Sequence, residues 1–303
     1  MADVEVAVAT TRVPLTVVVL TFNEAANIEA CLLSVKDWAS AVFVVDSGSS
    51  DTTVALATAA GAVVVEHTFE THARQWTWAL EQLPTTTGWV LALDADQRVT
   101  PELQSAIAQT LGDAASVDLA GCFVNRRQIF RGRWIRHGGY YPKYLLKLFQ
   151  RDRVTVDTDD LVDHHFRVHG ATRILDGDII EDNRNEAEMR VWIDKHNRYA
   201  RLQALQELAP RTNGAERAAL FGTPDERVTW MKARWRRLPL FVRPCLYFIY
   251  RYVVRLGFLD GREGFVFHVM QAFWYRLLVD INIHEIASAR TPESGPSATA
   301  GPT

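Results

Sequence analysis

Cysteine is scarce in this chain of 303 residues: Cys31, Cys122 and Cys245 stand far apart, without a CxxC pair and in odd number. That argues against a disulfide framework or a zinc site and suits a reducing compartment. Long apolar runs are also missing. No stretch of about 18 uninterrupted apolar residues occurs, so no orthodox membrane span is predicted. The opening "MADVEVAVATTRVPLT" has acids and lacks the basic-then-apolar order of a signal peptide, so none is expected. Neither sign of charge dominates, with 33 Lys and Arg against 36 Asp and Glu and a formal net charge of −3. No nucleic-acid-binding motif is present, and no nucleic-acid partner is expected. Two phosphate-cradling signatures are absent as well, the glycine-rich GxGxxG and the Walker A loop. At 48% hydrophobic residues the chain can still bury a full core, as one large domain or as a domain with an appendage.

What is present is an alternation. "LTVVVLTFN" is an unbroken apolar run of strand length, as expected of a strand buried on both faces. "EAANIEACLLSVKDW" follows with helical spacing, and "AVFVVDSGSSDTT" repeats strand, acid and turn before a helix that ends at Gly61. "AVVVEH" is a further strand, "HARQWTWALEQL" a helix, and "GWVLALDAD" the next strand. This order predicts a doubly wound α/β layer with a mostly parallel sheet. Ligands bind such sheets beyond the carboxyl ends of the strands. Those ends carry Thr21-Phe22-Asn23-Glu24, Asp46-Ser47-Gly48 and Asp94-Ala95-Asp96, and the three should converge on one crevice. Without a glycine cradle, phosphates there need another neutraliser. Two carboxylates one residue apart can supply it through Mg²⁺ or Mn²⁺, hard cations that take oxygen ligands and leave substrate phosphates to complete the shell.

"VVLTFNEAANIEACLLSV", "VVDSGSSDTT", "FETHARQWTWAL" and "WVLALDADQRVTPEL", in this order and spacing over residues 14–110, resemble the inverting family-2 glycosyltransferases of the GT-A fold. The resemblance implies a nucleotide-diphosphosugar donor, with a UDP-sugar the first expectation. It implies donor contacts from Thr21, Asn23, Glu24, Asp46, Gln75, Asp94 and Ala95. In the family's layout Glu24 and Asp46 meet the nucleoside, Asp94 lies by the ribose or metal, and Asp96 lies on the metal. Simpler roles exist for some of these: Asp46 before Ser-Gly suits a turn, and Glu24 suits the first turn of a helix.

Inverting displacement at a sugar carbon needs a general base for the acceptor hydroxyl. "VDTDDLVDHHFRVHG" (156–170) is the densest set of acids and histidines in the chain. It falls where the lipopolysaccharide-core β-glucosyltransferase branch of the family has a His-Glu pair, here replaced by Asp163-His164. Asp163 is the first candidate for the base, then His164, then Asp160. Arginines 126, 127, 131, 133 and 136 crowd the preceding segment, where they suit an anionic ligand or plain surface charge.

The last third is helical. "KHNRYA" within "EAEMRVWIDKHNRYARLQALQEL" also resembles that branch. From Arg227 to Leu259 there are eight Arg or Lys and no acid, interleaved with Trp, Tyr, Phe and Leu. Such a stretch fits the interface of an anionic membrane surface, or else packs on its own domain. The expected organisation is an extension (1–13), a GT-A catalytic domain (14–180), a helical membrane-associated appendage (181–287) and a disordered tail (288–303). The resemblance implies transfer to a lipid-linked saccharide at the cytoplasmic face of the inner membrane, in lipopolysaccharide-core or exopolysaccharide synthesis. A polyprenyl-phosphate acceptor and an inactive nucleotide-sugar-binding module are the alternatives. A phosphatase-type nucleophile loop is disfavoured, because Arg98 stands where that pattern wants Thr or Val.

Overall fold

The computed structural model describes residues 12–84, 87–113, 116, 118–156, 165–209, 230–231 and 233–290. A long sheet organises them. Its strands are β1 (Val13–Thr21), β2 (Ala39–Asp46), β3 (Val63–Glu66), β4 (Trp89–Asp94), β5 (Gln97–Val99), β6 (Leu119–Phe130), β7 (Arg133–Ile135), β8 (Tyr144–Gln150) and β11 (Ala171–Glu181), in the order β3-β2-β1-β4-β8-β6-β11-β5, with β7 on the edge of β6. A separate ribbon pairs β9 (Val154–Val156) with β10 (Phe166–Val168).

The expected parallel, doubly wound layer occupies β3-β2-β1-β4. β1 is buried along almost its whole length and rich in β-branched residues, which suits a strand covered on both faces. Its alternate residues feed two cores. Val17 and Val19 face Ile28 and Leu32 of α1 (Ile28–Leu33) and Leu103 and Ile107 of α4 (Pro101–Gly112). Val18 and Leu20 face Trp76 and Ala79 of α3 (His72–Gln82). Helix α2 (Thr53–Ala59) closes the edge beside β3. Beyond β4 the sheet becomes mixed, because β8 runs antiparallel between β4 and β6 while β11 is parallel to β6.

The helix starts follow local chemistry. The Thr100 hydroxyl accepts from Leu103 N–H at 3.3 Å, with Pro101 at the first position of α4. The Thr71 hydroxyl accepts from Arg74 N–H at 3.2 Å to open α3.

The C-terminal helices dock on the far end of the sheet. Helix α5 (Met189–Leu208) lies along α8 (Tyr275–Arg290) through Ala200, Ala204, Tyr275, Val279 and Ile283. Phe130, Ile135, Tyr140, Trp192 and Phe267 join this layer to β6 and β7. Between them, α6 (Arg243–Ile249) runs into a π-helical turn (Tyr250–Val254). Helix α7 (Gly261–His268) continues through a second π-helical stretch into α8. Two of the eight basic residues read as membrane-facing are used inside this layer. Arg243 is buried, with Nε 2.6 Å from Asp280 Oδ1 and Nη1 3.1 Å from Glu207 Oε2. Arg251 donates to the Gly138 carbonyl and to the Tyr247 hydroxyl. Among the described residues no helix is long and apolar enough to cross a membrane.

Asp280 is sealed from solvent and accepts from Phe241 N–H as well as from Arg243. Asp280→Ala leaves the buried guanidinium with Glu207 alone and the Phe241 N–H without its acceptor, and is expected to destabilise the protein by about 2 kcal/mol, read as a fall in the urea midpoint at unchanged slope.

Candidate functional site

In the parallel register Thr21 pairs with Asp46 and Leu20 with Asp94, so β1 ends between two acids. The chain reverses at Ala95, which is buried, and Asp96 follows half-buried. The turn is locked from several sides. The Gln97 carboxamide accepts from Asp94 N–H at 3.1 Å and donates to Glu181 at 2.9 Å. Asp182 N–H donates to the Asp96 carbonyl at 3.0 Å, and Arg98 pairs with the Asp182 carboxylate. Glu181 reaches the turn because β11 bulges between Ile174 and Asp178. Gly177 sits in that bulge at φ +89°, where an added Cβ would lie 2.2 Å from the Leu103 nitrogen.

Cations balance part of this charge. Lys147, buried on β8, donates to Asp94 Oδ2 at 2.9 Å. Arg126 contacts both oxygens of Glu181, and Lys195 on α5 pairs with Glu186 at 2.5 Å. A negative excess remains at Asp96. Burial first, then the neighbouring Glu181, Asp94 and Glu24, push its carboxyl well above the usual aspartate range. Burial also raises Glu24, against the hydrogen bond from Asn27. Despite burial, Arg126 and Gln97 hold Glu181 below its ordinary value.

This donor set fits a hard divalent cation. Asp94 and Asp96 offer carboxylate oxygens in surroundings whose main fault is uncompensated negative charge. Among the described residues no group of three or more His, Cys, Asp or Glu is arranged to hold an ion. The arrangement therefore suits Mg²⁺ or Mn²⁺ held by one or two carboxylates and completed by ligand oxygens, and does not suit a protein-only cage.

The other expected donor contacts lie at the same edge, in varied states. Asp46 is buried and spent on its own turn: Oδ2 accepts from Gly48 and Ser49 N–H at 3.0 and 2.7 Å, and Oδ1 from the Ser49 hydroxyl. Asn23 adopts φ 54° and binds the Ser49–Ser50 segment through its backbone N–H and side-chain oxygen. Glu24 accepts from Asn27 and Asn185. Gln75 is buried and ties Ser47 to His67. The Thr21 hydroxyl is buried without a hydrogen-bond partner among the described residues. Asp163, His164 and Asp160, the candidate bases, lie outside the described residues.

Residues not anticipated complete the rim. Lys147 had a signal, since a lysine amid "YLLKLF" in a buried strand needs a carboxylate. The segment "DNRNE" had a weaker one. Asn183 accepts from Asn27, Asn185 donates to the Asn23 carbonyl and to Glu24, and Arg184 N–H donates to Asn27. These bonds bind the chain after β11 to the end of β1.

The sequence model of the family described as "Glycosyl transferase family 2" matches residues 16–168, half of the chain. Proteins named "Uncharacterized glycosyltransferase" from Rickettsia bellii and Rickettsia felis are each 40% identical over 89 residues, 29% of this chain. The chain thus spans less than a third of those relatives' length (30% and 31%). Among solved structures, the mannosyltransferase PcManGT from Pyrobaculum calidifontis, in complex with GDP-Man and Mn²⁺, is similar at a TM-score of 0.47 and 16% identity, covering 91% of this chain and 88% of that one. Glucosyl-3-phosphoglycerate synthase from Mycobacterium tuberculosis, with Mn²⁺, UDP and glucosyl-3-phosphoglycerate, gives 0.40 and 16% over 65% and 81%. Both superpositions are too loose to carry an argument about this chain.

The charge excess has a thermal signature. A carboxyl whose folded pKa is raised costs stability above the unfolded value, so Asp96→Asn should raise the metal-free melting temperature by a few degrees at neutral pH. The gain should fade as pH falls into the ordinary aspartate range, where both states are protonated. Mn²⁺ should stabilise the wild type and leave the variant unmoved. Separately, Lys147→Met should destabilise by about 2 kcal/mol in urea, less than a fully buried pair because Asp94 is partly solvated. Adding Asp94→Asn should restore most of the loss.

Proposed function

The chain belongs to glycosyl transferase family 2, and from that premise we propose that it is a metal-dependent, inverting hexosyltransferase of the lipopolysaccharide-core β-glucosyltransferase type. It takes a nucleotide-diphosphosugar, a UDP-sugar in our reading, and extends a lipid-linked saccharide of a lipopolysaccharide core or exopolysaccharide. It works peripherally at the cytoplasmic face of the inner membrane. The observation that carries the transferase reading is the convergence of Asp94, Asp96 and Glu24 where β1 and β4 end, with Asp96 held in negative charge that Lys195 relieves only in part.

Mg²⁺ or Mn²⁺ held by Asp94 and Asp96 would neutralise the diphosphate as it departs. The chain's own groups set the frame. Lys147 and Gln97 fix the direction of Asp94, and Asp182 fixes the peptide of Asp96. The Glu24 loop is held by Asn185 and Asn27 beside the acids, which supports a nucleoside-side role for that loop. Asp46, sealed in its turn, supports the donor pocket through the backbone of Ser47–Ser49, which it orders. Asp163, with His164 next to it, is the proposed base that takes the acceptor proton as the sugar carbon inverts.

Calorimetry of the full chain against UDP- and GDP-sugars, with and without Mn²⁺, should show donor binding that needs the cation. Asp96→Ala should lower transfer, or donor hydrolysis in the absence of acceptor, at least about a hundredfold, in line with the several kcal/mol a catalytic metal supplies. Turnover undiminished in this variant, or in excess chelator, would remove the mechanism.

A further inference from the structure

The C-terminal layer carries an apolar face that no described residue covers. Along α6 and its π-helical turn, Leu246, Ile249 and Val253 fall at helical spacing and stand 46%, 50% and 53% exposed. Val254, Leu259 and Phe265 extend the exposure around the following turn into α7. Single exposed apolar residues are ordinary, but a continuous band of this kind on a protein surface marks a contact.

A second element borders the band. The β6–β7 hairpin turns at Arg131-Gly132, both at positive φ as a two-residue hairpin loop requires. It abuts the segment after the π-helical turn: His137 N–H donates to Asp260, and Gly138 N–H donates to the Arg255 carbonyl at 2.8 Å. Arg131 and Arg133 on this hairpin and Arg136 just after it, its guanidinium 5.2 Å from the Trp134 ring centre, are exposed, as are Arg255 and Arg262 beside the band. None of the five forms an ion pair with a described residue. By contrast Arg243 and Arg251 on the same helical segment are turned inward.

We propose that this face, the apolar band of α6 and its π-helical turn together with the arginines of the β6–β7 hairpin, is the surface by which the protein docks on an anionic bilayer. Apolar side chains backed by exposed arginines match the acyl boundary and the anionic headgroups of such a surface. From 243 to 254 the helix is far shorter than the roughly 20 residues of a span, so it lies in the interface and does not cross it. A second copy of the chain is a poorer occupant, because a two-fold contact would set the arginine rim against itself. The surface rests on the membrane-side working place proposed above, and does not depend on the transfer chemistry.

The protein contains its own reporter site: Cys245 is exposed on α6, while Cys31 and Cys122 are buried. An environment-sensitive fluorophore on Cys245 of the full chain should brighten and shift to the blue with vesicles of phosphatidylcholine and phosphatidylglycerol. The unlabelled chain should float with the same vesicles, about tenfold more tightly than with phosphatidylcholine alone. Ile249→Asp with Val253→Asp should abolish flotation. Arg131→Ser, Arg133→Ser and Arg136→Ser together should leave only the weak binding seen with phosphatidylcholine, each variant keeping its circular dichroism. Failure to float, indifference to phosphatidylglycerol, or undiminished binding by the double aspartate variant would overturn the proposal. So would a fluorophore signal that depends on protein concentration and not on vesicles, which would assign the face to self-association. All these readouts work without donor or turnover, so their failure and that of the transferase reading are separable.

Discussion

Incompletely balanced negative charge at the mouth of the sheet is the condition on which the rest of this protein turns. Parallel strands β1 and β4 end side by side, and the backbone turn after β4 adds a second carboxylate two residues on. Partial burial and the neighbouring carboxylates disfavour the charged form, so Asp96 resists ionisation. The protein answers only in part. Lys147 neutralises Asp94, Arg126 neutralises Glu181, and Asp96 is left with no comparable partner among the described side chains. A site of this kind has affinity for a cation because folding has already brought the carboxylates together.

The scaffold around that point is correspondingly stiff. Gln97 bridges Asp94 and Glu181, Asp182 holds the Asp96 peptide, and the asparagines at 183 and 185 tie the chain after β11 to the loop after β1. Three separated segments thus meet within one network. The bulge at Gly177 lets β11 keep pairing with β6 while aiming Glu181 at the turn. Precise placement of hard oxygen donors rests on such supporting bonds more than on the donors themselves.

The helical layer shows the opposite economy of charge. Arg243 is paired internally with Asp280 and Glu207, which binds α5, α6 and α8 into one unit, and Arg251 bonds a carbonyl and a hydroxyl. Exposed arginines without an ion pair among the described residues lie both beside the uncovered apolar side chains, at Arg255 and Arg262, and on the β6–β7 segment more than a hundred residues earlier in the chain.

Periodicity and strand ends sufficed to anticipate a parallel, doubly wound layer and the meeting of the Glu24 loop, Asp46 and the Asp94–Asp96 turn at one edge, because an apolar run closed by polar residues fixes both burial and exit point. The strand order β3-β2-β1-β4 came from the tertiary structure. Whether the Asp46 carboxylate faces outward or caps its own turn was not legible, since Asp before Ser-Gly suits both and only the backbone path chose the turn. Lys147, Glu181 and Asn185 were beyond reach, apart from the hint of a lysine in an apolar strand, because antiparallel insertion of β8 and the bulge in β11 are contacts between distant segments with no local code. The basic count from 227 to 259 could not tell that Arg243 and Arg251 turn inward, for the same reason. Composition determines that arginines are present, and the packing of α6 against α8 decides which of them face inward. The amino-acid sequence alone thus determined the elements and the acids at their ends, through local periodicity. Tertiary structure decided which charges are partnered, because pairing depends on which segments become neighbours.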